Sequence, residues 1–138
     1  MSSLLEGESD IIANLANASA LVFDTVEDLN WAGFYFVKGD ELVLVPFQGK
    51  PACVRLAKGK GVCWSAVEKG KAVVVSDVHE FVGHIACDSV SRSEMVVPLR
   101  NGKGEIVAVL DLDSPLVNRF EEIVDIVEAT AKEIEKTL

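Results

Sequence analysis

The chain has 138 residues and a formal net charge of -9, a length that sets a single domain over residues 1–138 as the expectation and suffices to bury a core without staples. Apolar residues make up 49% of it, which excludes a disordered chain, and the acidic balance with scattered Lys and Arg argues against nucleic acid or an anionic membrane surface as a partner. No apolar run approaches the roughly 18–20 residues of a membrane span, and no basic segment precedes an apolar one at the N-terminus, so no signal peptide is expected and a cytoplasmic location is. Three cysteines, an odd count, suit redox chemistry in a reducing compartment better than a disulfide framework.

In chain order, Ser9 to Asp24 predicts a helix, with Ile12, Leu15, Leu21 and Val22 on or near one stripe and Ser9 placed to cap its start. Trp31 to Val37 predicts an aromatic-rich strand, Lys38-Gly39-Asp40 a hairpin turn, and Glu41 to Phe47 the returning strand. Gln48 to Gly59 predicts a loop, Gly61 to Lys69 a short helix ended near Gly70, and Ala72 to Val75 a short β-branched strand. A long loop from Ser76 to Ser93 leads to the strand Glu94 to Arg100, a turn at residues 101–104 and the strand Glu105 to Asp113. Asn118 to Lys136 predicts the closing helix. There Asn118 and Glu121 have capping-box spacing, and Phe120, Ile123, Val124, Val127, Ala131 and Ile134 share one face. Hairpins imply a mainly antiparallel sheet, and Ile106 to Leu112 is apolar on both faces, which requires cover on both sides. The expected class is therefore α+β: a central, mainly antiparallel β-sheet with helices packed on both faces.

The Ser76–Ser93 loop is longer than the roughly 12–15 residues beyond which a structureless connection is usually functional. It holds His79, His84 and Cys87 among several carboxylates. Cys87 has two readings: a buried, inert thiol, or a nucleophile whose thiolate is favoured by His79, His84 or Arg92. Cys53 and Cys63 lie upstream, where one of them can resolve a sulfenic acid formed on a nucleophilic cysteine; Cys63, at the start of an apolar helix, is the better candidate for a core residue. Zinc is the rival use of Cys53, Cys63, Cys87, His79 and His84, but there is no C-x₂₋₄-C or H-x₃-H pair, the histidines lying five apart and the cysteines ten and twenty-four apart, and no metal is expected.

Asp111 and Asp113 end an apolar strand. Period two puts both on one face, roughly 6.5–7 Å apart, where each raises the other's pKa and calls for a cation or a shared proton. Glu94, at the start of the neighbouring strand, is placed to join them; the alternative is three solvated strand ends. Trp31 and Tyr35 share a strand face opposite Phe34 and Phe36. They suit either a core or, through their polar tips, a pocket wall.

Several ungapped motifs carry a resemblance: Asn30-Trp-Ala-Gly-Phe-Tyr35, Pro46-Phe-Gln-Gly-Lys-Pro-Ala-Cys53, Gly59-Lys-Gly-Val-Cys63, Gly83-His-Ile-Ala-Cys-Asp88, Ser91-Arg-Ser-Glu94 and Val109-Leu-Asp-Leu-Asp-Ser-Pro115. In this order they closely resemble the free methionine-(R)-sulfoxide reductases, which are GAF-domain enzymes. The resemblance runs from about Leu5 into the C-terminal helix and includes all three cysteines.

It implies a GAF fold and reduction of the R epimer of free methionine sulfoxide, with no cofactor. Cys87 would be the catalytic cysteine, Cys53 and Cys63 the resolving pair, and Trp31, Tyr35, Glu94, Asp111 and Asp113 the substrate pocket. Reduction would pass through a sulfenic acid and an intramolecular disulfide recycled by thioredoxin or a similar dithiol, in a homodimer. Two positions depart from the usual pattern: Val82 stands where many members have Pro, and Trp64 where a small residue is common. The main alternative is a GAF module that senses a small ligand without catalysis, and a zinc-stabilised binding domain is the third reading.

Overall fold

The computed structural model describes residues 1–83 and 90–138. Its order is α1 (Ser2–Leu5), α2 (Ile11–Thr25), β1 (Trp31–Lys38), β2 (Glu41–Gly49), β3 (Arg55–Ala57), α3 (Gly61–Lys69), β4 (Val73–Val75), a 3₁₀ turn (Val78–Glu80), β5 (Ser93–Arg100), β6 (Ile106–Ser114) and α4 (Val124–Glu135). The strands form one six-stranded sheet in the order β3-β2-β1-β6-β5-β4. Every neighbouring pair is antiparallel.

The pleat divides the core in two. Ala32 and Phe34 on β1, Met95, Val97 and Leu99 on β5, and Ala108, Leu110 and Leu112 on β6 face one side, against Leu15, Ala18 and Val22 of α2 and Val127, Ala131 and Ile134 of α4. Their neighbours Trp31, Tyr35, Val96 and Val109 face the other side, where α3 supplies Val62, Cys63 and Ala66. The double cover that the apolar β6 strand demanded is thus present. β1 and β6 pair in the centre, with Trp31 opposite Asp113 and Gly33 opposite Asp111. β5 brings Glu94 opposite Asp113.

The helix ends differ from expectation. Asp10, not Ser9, caps α2, its carboxylate accepting from the Ala13 amide at 3.0 Å. Ile12 is exposed, and the buried stripe includes Asn14 and Ser19 instead. Asn118 has a left-handed φ of 55°, incompatible with the extended backbone an N-cap adopts. The closing helix therefore begins at Val124, and the Glu121 carboxylate instead accepts from Ser76 Oγ at 2.7 Å. Inside the expected 48–59 loop, Arg55–Ala57 pairs with Glu41–Val43 as an edge strand. Trp64 accounts for part of that: its Nε1 donates to Leu56 O at 2.8 Å and ties the strand to α3.

Gly33 has a steric role. A Cβ there would sit 2.3 Å from Phe47 Cβ, 2.7 Å from the Trp31 ring and 2.9 Å from Phe47 Cα. Gly33→Ala is expected to destabilise the fold by about 1–3 kcal/mol, the usual cost of overpacking, and to disturb the Trp31–Phe47 stack. Urea unfolding followed by tryptophan fluorescence checks both.

Candidate active site

One end of the sheet's second face gathers the residues expected to form the substrate pocket. Glu94, Asp111 and Cys63 are all buried, and one ligating atom from each lies within 4.8 Å of the others. Register explains the meeting: Asp111 and Asp113 are two apart on β6, Glu94 is opposite Asp113 on β5, and α3 lays Cys63 over them. Cys63 Sγ donates to Asp111 Oδ2 at 3.5 Å, while Asp111 Oδ1 is buried without a hydrogen-bond partner.

Trp31 and Tyr35 form the wall, each 3% exposed. Their rings stack at 6.0 Å, and Trp31 stacks on Phe47 at 5.2 Å. Their polar tips are used by the chain itself: Trp31 Nε1 donates to Lys50 O and Tyr35 Oη to Cys53 O, both at 3.1 Å. The aromatic pair thus fixes the Lys50–Cys53 segment and holds Cys53 beside Tyr35. Phe47, Gly33 and Lys50 were not singled out as site residues in the sequence; only the alternation of β2 hinted that Phe47 shares the face of the wall.

The acids do not behave as solvated strand ends. Burial pushes Glu94 well above the usual carboxyl range, and the charges of Asp111 and Asp113 push it further. Burial also raises Asp111, against hydrogen bonds from Glu94 and Cys63 that lower it. The Cys63 thiol is raised by burial first and by the Asp111 charge second, and Tyr35 is raised by the same two causes in the same order. The pocket therefore retains protons at pH values where free carboxylic acids have lost them.

This has a sign for stability. A folded pKa above the unfolded value contributes stability in full below the unfolded value, 4.5 for Glu94, and that contribution is lost as pH rises through the folded value. The substrate-free protein should therefore melt at progressively lower temperature as pH rises from the ordinary carboxyl range through the elevated pKa of Glu94. Glu94→Gln should flatten that dependence and stabilise the alkaline end, because it removes a charge that burial and the neighbouring acids disfavour. Thermal melts of both proteins over that range check it.

The cysteines separate. Cys63 is a free, buried thiol, whereas the half-buried Cys53 is held in a disulfide. Cys87 and His84 lie outside the described residues. Their flanks are anchored beside the site: Gly83 O accepts from the Gly61 amide at the start of α3, and Ser91 Oγ accepts from Asn30 Nδ2, next to Trp31. His79 is exposed on the 3₁₀ turn and takes no part in the carboxylate cluster. Among the described residues no helix is long and apolar enough to cross a membrane.

A GAF domain model matches residues 13–138. The free methionine-R-sulfoxide reductase of Escherichia coli is 51% identical over 120 residues, which cover 87% of this chain and 72% of that protein. This chain belongs to the free methionine-R-sulfoxide reductase family. Two solved structures of reductases of this family superpose on nearly all of it. The Neisseria meningitidis enzyme in complex with its substrate has a TM-score of 0.93 at 45% identity, covering 99% of this chain and 82% of that one. The reduced Staphylococcus aureus enzyme has a TM-score of 0.94 at 49% identity, covering 99% and 89%. The expected GAF fold is therefore the observed one, and the α+β class with its antiparallel sheet holds.

Proposed function

We propose that this protein reduces free methionine-R-sulfoxide to methionine by thiol chemistry, with the substrate's amino-acid end held by carboxylates and its methyl sulfoxide end against Trp31. The carrying observation is the buried grouping of Glu94, Asp111 and Cys63 beneath the Trp31–Tyr35 wall. A pure ligand sensor has no need for three cysteines. Membership in the reductase family supports the same reading.

The Cys87 thiolate attacks the sulfoxide sulfur while the oxygen takes up a proton. Glu94 is the donor, because burial and its two acidic neighbours keep it protonated. Methionine leaves, and Cys87 carries the oxygen as a sulfenic acid. A second thiol attacks that sulfur, water departs, and a disulfide forms. Cys53 takes this role rather than Cys63. Cys53 sits half-buried on the segment fixed by Tyr35 and already engages in a disulfide. Cys63 is sealed on the buried face of α3, with its proton directed at Asp111 and its thiolate disfavoured by burial. A thioredoxin-type dithiol reopens the bond, its two electrons closing the cycle. No cofactor enters these steps.

The test is thioredoxin-coupled turnover with the free R epimer, the free S epimer and the N-acetylated R epimer. Turnover of the free R epimer alone is expected; equal turnover of all three would sink the pocket reading. Cys53→Ser should release one equivalent of methionine and then cycle slowly, whereas Cys63→Ser should keep cycling. The reverse pattern would exchange their roles.

A further inference from the structure

The substrate reading leaves Cys63 without a task in the chemistry, yet it lies among the acids proposed to grip the ammonium group. Ammonium binding needs carboxylates and has no use for a thiol. A thiophilic divalent cation uses both. Zinc takes thiolate sulfur at about 2.3 Å and carboxylate oxygen at about 2.0–2.2 Å, in a tetrahedron that leaves its remaining position for water. Those bonds put neighbouring ligand atoms between about 3 and 4 Å apart. Cys63 Sγ and Asp111 Oδ2 are already 3.5 Å apart, and Sγ, one Asp111 oxygen and one Glu94 oxygen all lie within 4.8 Å of one another. A small contraction completes three ligands. Among the described residues this is the one group with such geometry.

A second observation points the same way. Asp111 Oδ1 is buried with no hydrogen-bond partner. A buried acceptor left without a donor costs free energy that a cation recovers. The half-buried Asp113 stands across the ladder from Glu94 and adds charge without being required as a ligand. The cysteine and histidine spacing that made zinc improbable from sequence is irrelevant here, because this set is assembled by β5, β6 and α3.

We propose that Cys63, Glu94 and Asp111 form a site for a thiophilic divalent cation such as zinc, and that its occupation excludes substrate and holds the enzyme inactive. No electrons move: Cys63 binds as thiolate, releasing its proton, and the carboxyl groups bind as carboxylates. The inhibitory half of the inference rests on the pocket reading above; the binding half does not.

The test uses the full chain with Cys53→Ser and Cys87→Ser combined, so that Cys63 is its one cysteine. Calorimetry with zinc should give one ion per chain. Cobalt in its place should give a thiolate-to-cobalt charge-transfer absorption, which only Cys63 can supply in this protein. Adding Cys63→Ala should weaken zinc binding by more than the roughly 10–100-fold typical of losing an outer-shell partner, and Asp111→Asn should weaken it as well. In the unmodified enzyme, zinc should raise the apparent KM for methionine sulfoxide and leave kcat unchanged, reversibly on chelation. Absence of the cobalt band, or zinc affinity undiminished by Cys63→Ala, overturns the site. Zinc bound through Cys63 with no competition from methionine sulfoxide overturns the inhibition and the pocket reading while leaving the metal site standing. Turnover of methionine sulfoxide without any zinc binding leaves the enzyme reading intact and overturns this one.

Discussion

Cys87→Ser is expected to abolish turnover completely, including the single equivalent of methionine that Cys53→Ser still releases. The reasoning is chemical. Sulfoxide reduction needs a soft nucleophile that can carry the oxygen away, and a serine hydroxyl neither attacks sulfur competently nor forms a reducible adduct. Cys63 cannot substitute, because it is 3% exposed and hydrogen-bonded to Asp111. Cys53 cannot do so either if its place is to resolve. The flanks of the loop point to the same pocket: Gly83 is tied to the start of α3, and Ser91 to Asn30 beside Trp31. Fold should be unaffected, since the substitution exchanges one sulfur atom for a smaller oxygen and leaves both described core clusters intact. The measurement is methionine formed per enzyme in a rapid quench, alongside a thermal melt. A normally melting Cys87→Ser protein that still releases methionine would remove Cys87 from the nucleophile's role.

The sequence made some of this site legible and hid the rest, for reasons that differ by residue. Asp111 and Asp113 were readable because a strand's period is fixed at two, and Glu94 because a hairpin of known turn length sets its register. The double-sided apolar β6 strand likewise dictated helices on both faces. Helix ends were harder. A cap depends on one residue's backbone torsion, and the left-handed Asn118 gives no sign of itself in composition. The three-residue strand β3 was hidden for a different reason: it exists through pairing with β2 and through the Trp64 indole, both contacts distant in sequence. Cys63 shows the same limit at the site. Its sequence neighbours suggest a core residue, and it is one, but only the packing of α3 over β6 reveals that its sulfur lies against a carboxylate. The resemblance implies that it is one of the resolving pair; its burial and its bond to Asp111 are what favour Cys53 for that step in the function proposed above.

Neutralising the acids should divide them by role. Glu94→Gln keeps shape and polarity but cannot release a proton to the departing oxygen. Its kcat/KM should fall on the order of 10²–10⁴, the usual worth of general acid catalysis, with most of the loss in kcat. Asp113→Asn stands at the half-buried edge of the pocket and removes one charge from the ammonium's surroundings, so it should act mainly on KM and by a smaller factor. Asp111→Asn is intermediate: it loses charge and also exchanges an acceptor for Cys63 for an amide that can be placed the wrong way round. The N-acetylated substrate tests the same physics from the other side, since acetylation removes the positive charge that makes three adjacent acids tolerable. A pH profile distinguishes the donor from the binders. If Glu94 supplies the proton, kcat should fall as pH rises through its elevated pKa in the wild type, and Glu94→Gln should lose that limb while retaining any limb due to the attacking thiolate. Wild-type kinetics in all three variants, together with equal turnover of the acetylated substrate, would return Glu94, Asp111 and Asp113 to the status of structural strand residues and put the ammonium elsewhere.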